Sequence, residues 1–553
     1  LKPSWRNLFR RELLLGRAFG LISLLVRQLR GRAAMTDFQA DDFSPPFQNK
    51  YFSADMMSKY EPLADAIVKV EQSEGRDDDA FKAFEEYWAK FMDFSWCSQW
   101  DGKRYDIVFY GMSGYTGYLM MEYLKRNALK KRKEDFTFAF AGRSIAKVAE
   151  MRDREFEGTE YADTPILTAS FDDVVSVIDM VKSAHVIVNC AGPYMLTEGE
   201  VLIDACIWCK TDYVDISNEI PWSMRTKELH RYALEAGVMV VPSCAGNAYS
   251  DLGVMMLAKK IREDYGEETR SAVCYCNGGG TAAGASGGTL RTRAAMASLD
   301  KASEFAQSDP FALGGFIPQI DRNGFKIVEV QPGTGFVTPK TRAEDHDLNM
   351  TKVTEDRKMG VWRAPSVSSF FDTRIVRRSN MLLADLGNQP YGLALNFMEY
   401  AMLPPEQIAA ARRGAKDGDE PAKPIGHYGM SLEDEEAMLK SQGRQFKEGQ
   451  GPQLEDMSDT WSGFFLYAES KNGSQVQCSF VGSDGYFETA RVAVEAARTL
   501  RFDRSKLPFK GGVLTPSTAG STCLLERLLE SGVKFKMGSW HDPSEYAPPD
   551  IAA

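Results

Sequence analysis

From Arg104 onward, hydrophobic positions fall in short solid runs separated by stretches with helical spacing. Ile107–Tyr110, Phe136–Ala141, Ile166–Ala169, His185–Cys190, Tyr213–Ile216 and Val238–Pro242 are apolar runs of strand length. Solid rather than alternating apolar character marks strands buried on both faces. Between them, Tyr118–Leu129, Ser144–Met151, Asp173–Lys182, Val201–Cys209 and Trp222–Glu235 read as helices. Parallel neighbours need crossovers, and crossovers cover both faces of a sheet, so this alternation predicts an α/β Rossmann fold with a doubly wound parallel sheet of six strands.

Past residue 250 the pattern changes. Ala272–Cys276 reads as a strand that breaks into the glycine-rich stretch 278–288, after which Thr289 can cap a helix to Leu299. That stretch fits either a loop closing over a ligand or a plain linker. Charge, Gly and Pro dominate 404–459, a surface insertion with one helical piece at Leu432–Lys440. Phe464–Glu469 and Gln475–Val481 form a hairpin around Asn472-Gly473, and helices follow at Thr489–Leu500 and Thr522–Leu529. The expected organisation is a Rossmann dinucleotide-binding domain at 104–250 and an α+β substrate or dimerisation domain at 251–482. A C-terminal segment, 483–553, returns to the Rossmann part.

Ahead of these lies a helical extension, 35–103, with helices expected at 62–71 and 77–91. The second presents Phe81, Phe84, Trp88 and Phe91 on one face. Residues 1–34 interleave Lys2, Arg6, Arg10, Arg11, Arg17, Arg27, Arg30 and Arg32 with apolar positions at helical spacing, and Glu12 is their one acid. This fits an organellar transit segment or a helix on a membrane surface. Mitochondrion or another organelle, with membrane association, is therefore the expected location, and the cytoplasm or a lipid droplet is the alternative.

The chemistry concentrates where the first strand ends. Gly111-Met112-Ser113-Gly114-Tyr115-Thr116-Gly117 joins a buried strand to a helix, a junction whose unpaired N–H groups and dipole attract phosphate. Gly111 would make the tight turn, Gly114 would let a pyrophosphate approach, and Gly117 would let the helix pack on the strand. After the second strand, where an NAD site usually has an acid, stand Gly142, Arg143 and Ser144; a guanidinium and a hydroxyl suit a 2′-phosphate and favour NADP(H) over NAD(H). Asp172 follows the third strand, placed to meet adenine, and Asn189, Ala191, Gly192, Pro193 and Tyr194 follow the fourth. Proton donors are sought in Tyr194, Asp215, Ser250 and Asp251. Each has a structural alternative: Tyr194 as a pocket wall, Asp215 as a backbone acceptor, Ser250 and Asp251 as helix caps.

Formal charge −11 and the absence of a basic stripe beyond the N-terminus argue against nucleic acid as a partner. The nine cysteines are scattered and read as reduced thiols, Cys206-x-x-Cys209 included, and the five histidines show no metal-ligand spacing. No metal is expected. The partners expected are a hydrophobic small molecule and, as open alternatives, a lipid surface, a second copy of the chain or a larger complex.

The motifs resemble those of the saccharopine dehydrogenase-like oxidoreductases, a family that includes the trans-acting enoyl reductases. The resemblance rests on Gly111–Gly117, Ala141-Gly-Arg143, Asn189–Tyr194, Asp212–Glu219, Cys244–Gly253, Ala285–Thr289, Gly485–Ala490 and Lys510–Pro516. It spans about residues 104–540, with departures at Met112-Ser113 and Asn247-Ala248-Tyr249. It implies NADP(H)-dependent hydride transfer to or from a hydrophobic carbonyl or enoyl substrate of lipid or polyketide type. An amino-acid C–N oxidoreductase of the saccharopine kind is the alternative, and would need convergent arginines drawn from Arg291, Arg293, Arg374, Arg377 and Arg378. A catalytically silent scaffold or assembly subunit is a third reading.

Overall fold

A computed structural model describes residues 102–542 apart from 131–133, 281–283, 316–327, 331–336, 340–341, 388, 406, 410–431 and 445. Of the preceding extension only Lys69, Asp79, Lys82, Ala83 and Glu86 are described, each with helical backbone. The basic segment 1–34, most of the two expected N-terminal helices and most of the surface insertion therefore lie outside the described residues. Among those described, no helix is long and apolar enough to cross a membrane.

Two compact units make up the chain. The smaller comprises 1–103, 169–183 and 198–209. The larger comprises 104–168, 184–197 and 210–553, and carries every strand found among the described residues.

In the larger unit β1 (Tyr105–Tyr110), β2 (Phe138–Gly142), β3 (Ile166–Thr168), β4 (Ala184–Asn189), β5 (Asp212–Asp215) and β6 (Met239–Val241) form a parallel sheet in the order β3-β2-β1-β4-β5-β6. Ile107, Val108 and Phe109 are fully buried, as solid apolar runs require. The chain then runs through α1 (Tyr115–Tyr123), α2 (Ile145–Phe156), α3 (Val174–Lys182), α4 (Glu200–Trp208), α5 (Ile220–Lys227), α6 (His230–Ala236) and α7 (Ala248–Tyr265). α2 runs on to Phe156, past its expected end at Met151, and two other helices differ from expectation. The first begins at Tyr115, directly on the glycine turn, and its last turn widens into a π-helical segment, Leu124–Ala128. The helix expected at Trp222–Glu235 divides into α5, which Pro221 starts early, and α6, which ends at left-handed Gly237. α3 and α4 belong to the smaller unit and pack on each other.

A second sheet is built from β7 (Thr269–Gly279), β10 (Thr354–Asp356), β11 (Val361–Ala364), β12 (Asn396–Met402), β13 (Trp461–Ser470), β14 (Gln475–Gly482) and β16 (Lys534–Met537); β8 (Val328–Val330) and β9 (Val337–Pro339) make a separate ribbon. Its order is β10-β11-β12-β7-β13-β14-β16, with β12 parallel to β7 and every other pair antiparallel. The remaining helices are α8 (Gly287–Ala297), α9 (Lys301–Ser308), α10 (Ser369–Gly387), α11 (Leu432–Ser441), α12 (Gly485–Phe502) and α13 (Pro516–Glu530). The cap of α8 is Ser286, whose hydroxyl accepts from the Thr289 N–H, so the expected cap Thr289 sits one turn inside.

The first sheet has seven strands rather than six. β15 (Gly512–Val513) pairs in parallel with β6, and two residues after Lys510-Gly511 give no strand signal of their own. α12 completes the join. Its small face of Ala493, Ala496 and Ala497 lets it lie close on β1, β4 and β5 and against α1. α7 lies across β7, β13 and β14, and one continuous hydrophobic core runs from Phe109 and Val188 through Leu252 and Val492 to Leu466 and Phe480. The first sheet and the second sheet are thus tied by buried apolar surface.

Candidate dinucleotide site

The turn after β1 is held from two sides. Gly111 and Met112 N–H groups donate to the Ala141 carbonyl at 2.9 and 3.2 Å, and the Cys190 N–H donates to the Tyr110 carbonyl at 2.9 Å. Gly111 has φ +92°, and a Cβ there would lie 2.7 Å from the Ala191 nitrogen. At Gly117 a Cβ would lie 2.7 Å from Met112 Cα. Both positions admit only glycine because backbone fills the space. Gly114 is different. It takes extended backbone (φ −94°, ψ 171°) at the N-cap of α1, makes no side-chain cap, and its missing Cβ would meet nothing closer than the Gly111 oxygen at 3.4 Å. Two of the three glycines are therefore required by the protein itself, and the third leaves room at a helix N-terminus.

Beside this turn, β2 ends at Gly142. Arg143 is exposed and makes no hydrogen bond or ion pair with any residue of the chain described here. Ser144 caps α2, its hydroxyl oxygen 3.4 Å from the Lys147 nitrogen, and its O–H remains available as a donor. The loop after β4 brings Ala191 against Gly111, through a cis Gly192–Pro193 peptide. Asn189 is fully buried; its amide donates to Tyr213 Oη at 3.0 Å and its side-chain oxygen accepts from Ala191 N–H at 3.0 Å, so it shapes the loop from beneath. Asp172 lies in the smaller unit, where its carboxylate accepts from Ser170 at 3.4 Å.

The four candidate proton donors are placed in structural networks. Tyr194 is buried and donates to the Asn189 carbonyl at 2.7 Å, and burial pushes its hydroxyl well above the usual tyrosine range. Asp215 accepts from Ser217 N–H (2.9 Å), Ser217 Oγ (2.7 Å), Ser243 N–H (3.0 Å), Trp222 Nε1 (2.9 Å) and Tyr213 Oη (3.0 Å), tying the ends of β5 and β6 together. Ser250 and Asp251 sit inside the first turn of α7 instead of capping it. Ser250 donates to Glu399 on β12 at 2.6 Å. Asp251 accepts from Ser379 Oγ at 2.6 Å and from Ser517 N–H at 2.9 Å, and so caps α13.

Sequence reading missed Glu219, whose carboxylate accepts from Tyr194 and Met195 N–H groups at 3.0 and 2.6 Å and fixes the turn below the site. It also missed Asp372, which takes a hydrogen bond from Asn247 Nδ2. Glu219 ends the Asp212–Glu219 segment that carries part of the resemblance, and Asp372 lies in none of those segments.

Burial raises the Asp251 carboxyl from 3.8 to about 6. Between those values the folded chain holds a proton that the unfolded chain has released, so this group's contribution to stability is present below about pH 4 and lost as pH rises through 6. The change amounts to about 3 kcal/mol for two pKa units. Asp251→Asn removes the titration. Denaturant midpoints should therefore shift in favour of the variant, relative to the parent, between pH 4 and pH 7; a difference constant across that range would mean that Asp251 titrates normally.

Residues 107–241 match the saccharopine dehydrogenase NADP-binding domain. This chain carries that domain. A Mycobacterium tuberculosis protein provisionally named as a trans-acting enoyl reductase is 29 % identical over 445 residues, 78 % of this chain and 97 % of its own. The trans-acting enoyl reductase of Mycobacterium leprae is 27 % identical over the same shares. The saccharopine dehydrogenase (L-Glu forming) of Saccharomyces cerevisiae overlays at TM-score 0.40 and 13 % identity, covering 79 % of this chain and all of its own. The chain is an oxidoreductase similar to these proteins, and its cofactor is NADP(H). The open position at Gly114 fits that cofactor's pyrophosphate, because a Cβ would fill the space a phosphate needs.

Proposed function

We propose that this saccharopine dehydrogenase-like chain transfers hydride between NADP(H) and a hydrophobic enoyl or carbonyl substrate. The observation that carries the cofactor half is Gly114, open at a helix N-terminus between two glycines that are closed. The α1 N–H groups would hold the pyrophosphate, Arg143 and Ser144 the 2′-phosphate, and the Ala191–Tyr194 loop the nicotinamide ribose. The bound cofactor supplies the hydride; the protein orients it and excludes water. Support for the substrate half comes from relatives named for enoyl reduction that align over 97 % of their length.

The amino-acid reading loses ground on its arginines. Arg374 donates to Asp347 and to the Phe370 and Gln307 carbonyls, Arg377 to the Pro310, Asp345 and Phe397 carbonyls, and Arg378 to the Leu313 and Val513 carbonyls. Arg291 pairs with Glu448. These four are engaged by the protein and are not arrayed for a substrate with several carboxylates.

The test is NADPH oxidation, followed by absorbance, with long-chain 2-enoyl thioesters and aliphatic ketones. Turnover with either supports the proposal; NADPH binding with no turnover on any of them supports the scaffold reading instead. Arg143→Ala should weaken NADPH by about 1.5–3 kcal/mol, the range for a charged hydrogen bond, and leave NADH nearly unchanged. Equal losses for both cofactors in a calorimetric titration would remove Arg143 from the 2′-phosphate site.

A further inference from the structure

A buried cluster of sulfur and oxygen lies where α7 crosses the second sheet, and the dinucleotide chemistry does not use it. Cys274 and Cys276 are two apart on β7, so both side chains leave the same face, and Glu399 pairs in register with Cys274 on the neighbouring β12. The two sulfurs and a Glu399 oxygen all lie within 4.8 Å of one another. Glu399 and Cys274 are fully buried and Cys276 is 4 % exposed. Neither cysteine is in a disulfide.

Ser250 Oγ lies 2.6 Å from Glu399 Oε2 and 3.5 Å from Cys274 Sγ. Glu399 Oε1 and the nearby Asp372 Oδ2, both buried, make no hydrogen bond of good geometry, and Asp372, Cys276 and Ser368 face the Glu399 carboxyl alongside Ser250. A buried acceptor left unmade costs about 1–3 kcal/mol. Two thiols and a carboxylate whose ligand atoms converge in this way form a ligand set of the kind soft divalent ions select.

We propose that Cys274, Cys276 and Glu399 bind one divalent cation of the zinc class, with Ser250 and Asp372 orienting Glu399. Metal–sulfur bonds are near 2.3 Å and metal–oxygen bonds near 2.0–2.2 Å, so one ion can bridge three ligand atoms that lie within 4.8 Å of one another. On binding, each thiol loses its proton to solvent and forms a metal–sulfur bond. Two protons leave as a doubly charged ion enters, so the buried net charge does not change. Affinity should accordingly rise steeply with pH, with two protons released per ion.

The experiment uses the full chain, purified without chelators and analysed for metal, then stripped and titrated with Co²⁺. One equivalent should bind with a near-ultraviolet sulfur-to-cobalt charge-transfer band and tetrahedral visible bands, and Zn²⁺ should bleach both. Cys274→Ser and Cys276→Ser should each lower the charge-transfer intensity by about half, and Glu399→Gln should keep the band while weakening Co²⁺ roughly 10- to 100-fold. Circular dichroism checks each variant, and if any misfolds the spectrum of the parent decides alone. A stripped parent that shows no charge-transfer band, or a band both serine variants retain in full, overturns the proposal and leaves two carboxyls sharing a proton.

Discussion

Gly114→Val is expected to abolish NADPH binding in a protein that still folds. Its backbone is already extended, at φ −94° and ψ 171°, so a β-branched residue fits without strain, and the nearest atom to a new Cβ is 3.4 Å away. The valine branches would occupy the space in front of the α1 N–H groups. Losing two charged hydrogen bonds to phosphate costs about 3–6 kcal/mol, roughly two to four orders of magnitude in affinity. Gly117→Ala gives the opposite result. Its methyl group meets the Met112 backbone at 2.7 Å, where nothing can rotate away, so overpacking of about 1–3 kcal/mol falls on the fold and on cofactor affinity together. Thermal melts paired with NADPH titrations separate the two. If Gly114→Val binds as the parent does, the turn is an ordinary strand-to-helix connection.

Asp215→Ala should be the most damaging substitution for stability. Its five donors come from β5, the segment after it, α5 and the loop that follows β6, and all of them are buried with it. Removing the carboxylate leaves two backbone N–H groups, an indole and two hydroxyls without their acceptor, at a cost of at least about 3 kcal/mol. A fall in Tm of roughly 6–12 °C follows for a domain of this size. The same variant tests the role of the residue. A structural Asp215 lowers Tm and NADPH affinity together, whereas a catalytic one would leave the melt unchanged and lower turnover alone.

How far the sequence carried can be judged strand by strand. All six apolar runs of the first sheet became strands, with ends moved by one or two residues, because solid hydrophobic character and the parallel order both follow from burial on two faces. The glycine turn was legible for a similar reason: Gly111 and Gly117 answer to local sterics. β15 was not legible, since Gly512-Val513 becomes a strand only by lying beside β6. β12 was missed because Glu399, a buried acid, interrupts its otherwise apolar run at the centre. The roles of Asp251 and Asp372 were also hidden. Their partners, Ser379, Ser517 and Asn247, lie more than a hundred residues away in the chain, and no spacing rule spans that distance.

The pairing of Gly512–Val513 with Met239–Val240 bears on how the chain is made. Synthesis from the N-terminus delivers β6 long before β15 and α12 exist, so the edge of the first sheet and the face of β1, β4 and β5 beneath α12 stay uncovered while β7 and β10 to β14 of the second sheet are still being translated. An open strand edge and a bare apolar face are features that recruit other chains. A ribosome stalled between residues 250 and 480 would present both at once, which places the greatest demand for chaperone protection in that interval of translation. A chain terminated before Lys510 would keep the glycine turn and still lack the strand that closes its sheet.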